Sequence, residues 1–309
     1  MITGRLLVSN VSMLNFQYIL ATTIFNDIII LELIYKGGMF TIMLTLEEKK
    51  EKVKDFRPID DAFFETLADD TAFCEEILRV ILNDDKLTVE DVIVQSSQRN
   101  IYGRSVRLDA LCTLGDGTKC NIEVQRADND DHLKRVRFNA SSIIVTDSQK
   151  RDKFNSIDNL YIVYISEFDI FKKGHTLYHV DSVIRETSDI VDDGLARIFV
   201  NTEINDGTDV SELMSCFKQK QVNNSKFPIF SNRMDFLKNA EGGLNAVCEV
   251  MERYEKIAAE KAEKEATEKA NIRAVISMIT TFHATKAQIL KLYSENEYNQ
   301  AMKEINKNI

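Results

Sequence analysis

Residues 104–125 read RSVRLDALCTLGDGTKCNIEVQ, and this stretch decides how the chain folds. Two runs of β-favouring residues flank Gly115-Asp116-Gly117, a pattern that predicts a hairpin. Side chains alternate between faces along a strand. Arg107 and Asp109 therefore share one side of the first arm, with Val106, Leu108 and Ala110 on the other. On the second arm Asn121, Glu123 and Gln125 share a side, opposite Ile122 and Val124. One face is apolar, and the other gathers two acids, two amides and an arginine.

The turn determines whether the acids meet. A two-residue loop, Asp116-Gly117, pairs Gly115 with Thr118 and sends the two acids to opposite faces. A three-residue loop, Gly115-Asp116-Gly117, puts Gly117 in the left-handed position of a type I turn with a glycine bulge. It pairs Leu114 with Thr118 and Asp109 with Glu123, whose Cβ atoms would lie roughly 5 Å apart. Only this register sets both apolar rows on one side, as a core requires. The three-residue loop is therefore expected.

Carboxylates gathered on a rigid face are what a hard divalent cation needs. The ordinary alternative is a surface salt bridge from Asp109 to Arg104 or Arg107. Glu123 is harder to dismiss, because acids are depleted inside strands.

Around the hairpin, phenylalanine and isoleucine recur at helical spacing over Asp70 to Leu82, and Asp91 to Ser96 reads as a short strand. His132 to Asp147 reads as a helix. Leu160 to Ser166, LYIVYIS, has the unbroken apolar character of a strand covered on both faces. Thr176 to Glu186 and Ala196 to Thr202 read as further strands. Gly242-Gly243 precedes a long helix whose Ala, Glu and Lys content suits a solvated extension or a homo-oligomer contact. Three regions result: an apolar N-terminal segment at 1–45, an α/β domain at 46–240 and a helical extension at 241–309.

The net charge of -10 argues against constitutive, sequence-blind nucleic-acid binding. Between Arg99 and Ser156, however, eleven Lys/Arg face eight Asp/Glu, so a basic rim surrounds the acidic hairpin. The five cysteines have no CxxC spacing, as expected of reduced thiols in a cytoplasmic protein, and no histidine pattern suits zinc. Residues 15–35 are apolar, but Asp27 and Glu32 interrupt them, against a membrane span. Lys36-Gly-Gly-Met39 is what a purine-rich ribosome-binding sequence gives when translated, which makes Met39 or Met43 a candidate start.

RPIDDAFFETLADD, the hairpin, the helix with Lys134-Arg-Val-Arg-Phe138, and NLYIVYISEFDIFKKG together resemble the PD-(D/E)XK nuclease superfamily. More closely they resemble the bacterial PD-(D/E)XK nuclease family transposases, also called recombination-promoting nucleases, over about residues 55–235. The resemblance implies a restriction-endonuclease-like α/β core, with a central mixed sheet flanked by helices and a helical C-terminal region. It also implies a DNA endonuclease linked to recombination or mobile elements. Mg²⁺, for which Mn²⁺ can substitute, would be held by Asp109, Glu123 and the Val124 carbonyl. Glu75 or Glu76 is the candidate upstream acid. Gln125 stands where the superfamily usually has lysine, so it can orient a water but supplies no charge. Arg107, Lys134, Arg135 and Arg137 are the candidate DNA contacts and replacement charge. Loss of the lysine also allows a nuclease-fold DNA-binding or scaffold protein that no longer cleaves.

Overall fold

The computed structural model describes residues 19–25, 28–35, 38–42, 45–98, 106–148 and 153–307. The chain groups into two compact units, Leu44–Glu252, and Met1–Met43 with Arg253–Ile309. In the latter, β1 (Ile19–Phe25), β2 (Ile28–Tyr35) and β3 (Gly38–Ile42) form an antiparallel meander.

The larger unit starts with α1 (Leu46–Val53), which Thr45 and Glu48 open with a reciprocal capping box. It continues through α2 (Asp61–Ala68), α3 (Thr71–Leu82), β4 (Val89–Gln98), β5 (Val106–Leu114), β6 (Lys119–Gln125) and α4 (His132–Asp147). Next come β7 (Leu160–Ser166), β8 (Leu177–Val180), β9 (Ser182–Val183), β10 (Ile190–Val191) and β11 (Leu195–Asn201). Helices α5 (Asp209–Phe217) and α6 (Pro228–Asn239) follow, and α7 (Glu241–Thr280) runs on into the other unit. There α8 (Lys286–Ile289) and α9 (Glu295–Lys307) close the chain, and Ile272, Val275, Ile289 and Ala301 form a small core.

The main sheet has the order β4-β5-β6-β7-β11-β8. Pairing is antiparallel through β4, β5 and β6, parallel from β6 to β7 to β11, and antiparallel again at β8. Parallel neighbours need a crossover, and α4 supplies it between β6 and β7. One face of the sheet carries Ala110, Cys112, Ile122, Val124, Val163 and Ile165 against α2, α3, α5 and α6. The other carries Leu111, Ile162 and Tyr164 against Val136, Ala140 and Ile143 of α4. The apolar stripe of α3, Phe73, Ile77, Leu78 and Ile81, is at most 3% exposed. Each such side chain contributes about 1.5–3 kcal/mol of burial. The core is thus α/β with a mixed sheet between helices, followed by a helical C-terminal region.

Three local expectations need revision. Leu108 packs with Val106 and Leu111 on the α4 side, whereas Ala110 faces α2 and α3. Simple alternation therefore fails at Asp109. Opposite that point Gln95 takes a left-handed φ of 52°, between the pairs Val94–Ala110 and Ser96–Leu108. Secondly, the strand expected over 176–186 leaves the sheet after Val180 and becomes the β9–β10 ribbon. Thirdly, Gly242 and Gly243 lie inside α7 rather than before it. A Cβ at Gly243 would collide with the Phe236 carbonyl at the end of α6, so this glycine permits a close helix junction.

Candidate active site

The turn is the three-residue loop. Gly117 has φ +87° and donates to the Leu114 carbonyl at 2.8 Å, and Leu114 donates to the Thr118 carbonyl at 2.9 Å. The ladder then runs through Cys112–Cys120 and ends at Ala110–Ile122, one step short of Asp109 and Glu123. At that step a side chain enters the ladder: the Val124 N–H donates to Asp109 Oδ2 at 3.0 Å. A strand residue's N–H and C=O point to the same side, so the Val124 carbonyl faces β5 as well. Across from Asp109, the Asn121 amide donates to Glu123 Oε1 at 2.9 Å. Asn121 and Glu123 are buried and Asp109 is half-buried.

A third acid, on α2, acts on them electrostatically. Asp61, the first residue of α2, is half-buried and interacts electrostatically with Asp109 and Glu123. Burial, then the charges of Asp109 and Asp60, push its carboxyl up to about 7. Burial also pushes Glu123 up to about 7, against the hydrogen bond from Asn121, and raises Asp109, with Glu123 adding to that rise. None of the three has an ion pair among the described residues. The compensation common to all three is Arg135 on α4, half-buried and 3.9 Å from Asp131, whose charge opposes the rise at each acid. Among the described residues no three His, Cys, Asp or Glu side chains lie close enough together to hold a metal ion.

The acids considered upstream, Glu75 and Glu76, are engaged elsewhere. Glu75 accepts from the Val89 N–H at 3.0 Å and pairs with Arg79 at 2.6 Å. Glu76 accepts from the N–H groups of Ile229 and Phe230 at 3.1 and 2.7 Å, capping α6. Gln125 is half-buried, and its amide nitrogen donates to the Ala127 carbonyl at 2.8 Å. Arg107, Lys134 and Arg137 are exposed, and Arg107 acts on Asp109 electrostatically. Arg104 lies outside the described residues.

A balanced network borders the acids. Asp60 binds Arg57 at 3.2 Å and Arg126 at 3.1 Å, while Glu167 binds Arg57 at 2.6 Å and Arg126 at 3.3 Å. The Asp60 carboxylate also accepts from the Arg57 N–H at 2.7 Å. Burial pushes Glu167 up, but the Arg57 and Arg126 guanidiniums outweigh it and hold that carboxyl below its ordinary value. The ring ties the ends of β6 and β7 to the start of α2, and so carries Asp61 to the hairpin.

The sequence profile described as PD-(D/E)XK nuclease family transposase matches residues 71–306. The chain belongs to this family. For a PD-(D/E)XK family member the matched region is wider than the core, because it takes in α7, α8 and α9, and it begins ten residues after Asp61. No match is found among curated proteins, and none among solved structures. Among the described residues, no helix is long and apolar enough to cross a membrane.

Proposed function

We propose that this PD-(D/E)XK family member is a metal-dependent endodeoxyribonuclease that hydrolyses phosphodiester bonds and acts in recombination or on mobile elements. The reading rests on Asp109 and Glu123, two acids at the end of the β5–β6 ladder without an ion pair among the described residues, on which Asp61 acts electrostatically. Mg²⁺ suits these donors in kind, because it takes one or two carboxylates and keeps several waters. Asp109, Glu123 and the Val124 carbonyl would hold it, with Asp61 adding charge nearby. When bound, the ion would make a water more acidic and offset charge growing on the scissile phosphate.

The chain's own groups do the positioning. The Val124 N–H holds one oxygen of Asp109, leaving its second for a ligand, while Glu123 is held by the Asn121 amide and by the main chain of Asp109. Gln125 donates to Ala127, so its own carbonyl oxygen can accept from a water. Arg135 supplies the positive charge that Gln125 does not. Arg107, Lys134 and Arg137 meet the DNA backbone through contacts that position a duplex without reading its sequence.

Nicking of supercoiled plasmid in Mg²⁺ or Mn²⁺ tests the reading. Asp109→Ala and Glu123→Ala should each lose on the order of a hundredfold or more in rate. Unchanged nicking in both variants would assign the activity to another site and sink the proposal. Gln125 favours one rival, a nuclease-fold DNA-binding or scaffold protein. It predicts DNA retention at low salt with no nicking by the wild type.

A further inference from the structure

A chain of three polar side chains runs from the surface to the flank of the acids, and none has a role in the reading above. Asp128 is exposed, whereas His132 and Tyr164 are 5% and 1% exposed. His132 Nε2 lies 3.0 Å from Asp128 Oδ1, and His132 Nδ1 lies 2.9 Å from the Tyr164 hydroxyl. A carboxylate only accepts, so Nε2 carries a proton, and in the neutral imidazole Nδ1 then accepts from the tyrosine. Tyr164 is the in-register β7 neighbour of Glu123. Residues in register on adjacent strands point to the same face, so its ring stands beside that carboxylate.

His132 is also the first residue of α4, whose N-cap Asp131 makes no side-chain capping bond. The inward face of α4 runs His132, Val136, Asn139, Ala140 and Ile143, and Arg135 sits at its edge. Apolar packing alone tolerates small rotations of such a helix. A slip of one residue is about 100° and would carry Arg135 into solvent. A buried imidazole with both nitrogens engaged allows one rotation only.

We infer that Asp128, His132 and Tyr164 form a positioning strut that fixes the rotation of α4 and so aims Arg135 at the site of Asp109 and Glu123. This rests on the nuclease reading for its effect on cleavage, but not for its effect on Arg135.

Tyr164→Phe removes one hydroxyl and keeps the ring, and is the decisive variant. With its circular dichroism unchanged, kcat for plasmid nicking should fall about tenfold while KM for DNA stays within about twofold. Arg135→Ala should fall further, and the double variant no further than Arg135→Ala alone. His132→Asn, which retains an acceptor near the position of Nδ1, should recover most of the rate that His132→Leu loses. Independently of activity, the Arg135 Nε–H signal in ¹⁵N NMR should be sharp in the wild type and broadened in Tyr164→Phe. Imidazole ¹⁵N shifts should show Nε2 as the protonated nitrogen. Additive losses in the double variant, or an Arg135 signal indifferent to Tyr164→Phe, would overturn the strut. If the wild type does not nick DNA but the Arg135 signal responds, the nuclease reading fails and the strut stands.

Discussion

Two groups of charge lie side by side where β6 and β7 end, and they follow opposite rules. Arg57, Arg126, Asp60 and Glu167 balance, two cations against two anions, each carboxylate touching both guanidiniums. Asp61, Asp109 and Glu123 have no ion pair among the described residues; the charge of Arg135 acts on all three and that of Arg107 on Asp109. Asp60 and Asp61 are sequence neighbours, yet one belongs to each group. The closed network holds Asp60 and Glu167 between two guanidiniums, although burial still keeps the Asp60 carboxyl above its ordinary value. Under the proposed nuclease function, the boundary between structure and chemistry would fall between two adjacent aspartates.

The largest effect on the fold should come from breaking the balanced side. Asp60→Ala strips both arginines of a shared, buried partner and should cost about 3 kcal/mol in urea unfolding. A loss near zero would mean that the ring does not hold α2 to the sheet.

The open side should respond to pH with the sign of displaced acids. Asp61 and Glu123 sit near 7 in the metal-free fold, above their ordinary 3.8 and 4.5. The folded state therefore keeps protons that the unfolded chain releases. The stability this contributes is complete below about pH 4 and is lost as pH rises through about 7. Thermal unfolding of metal-free protein should show this decline, and Mg²⁺ should offset it on the alkaline side. A flat profile, or one unaffected by Asp61→Asn, would show that these acids do not crowd one another.

A smaller change should separate the neighbours by sign. Asp61→Asn removes one of three repelling charges and should stabilise the metal-free protein by about 1 kcal/mol near neutral pH while slowing cleavage. Asp60→Asn should destabilise it. The same sign for both variants would erase the distinction between the two groups. An effect of similar size but purely local origin belongs to the turn. Gly117→Ala meets no atom within 4 Å, so only its φ of +87° is penalised, at about 1 kcal/mol.

The hairpin was legible because the glycines around Asp116 suit a three-residue turn, although the expected alternation holds on only part of β5. Gly115-Asp116-Gly117, with both apolar rows set on one side, selects the pairing of Leu114 with Thr118 that the structure shows. LYIVYIS was legible as a covered strand for the same local reason. Asp61 was not, because its role depends on how α2 lands on the sheet, which no local pattern encodes. A signal existed nonetheless: an Asp-Asp doublet opening a helix whose next residues are Ala62, Phe63 and Phe64, all buried. Glu75 and Glu76 drew attention as acids on a strongly patterned helix, but an acid on the flank of a buried helix is well placed to cap a neighbour. The failure of alternation at Asp109 was illegible too, since it needs the left-handed Gln95 on the partner strand.

That residue has a bearing on solubility. β4 is an outer strand of the sheet, ten residues long, and such a strand offers unpaired main-chain groups to any other extended chain. A left-handed residue midway breaks the offer into two short pieces that no straight strand can match. The irregularity facing Asp109 therefore also guards the rim of the sheet. A regular β4 would leave a continuous docking edge, and the price of that regularity would be copies of the protein adhering to one another.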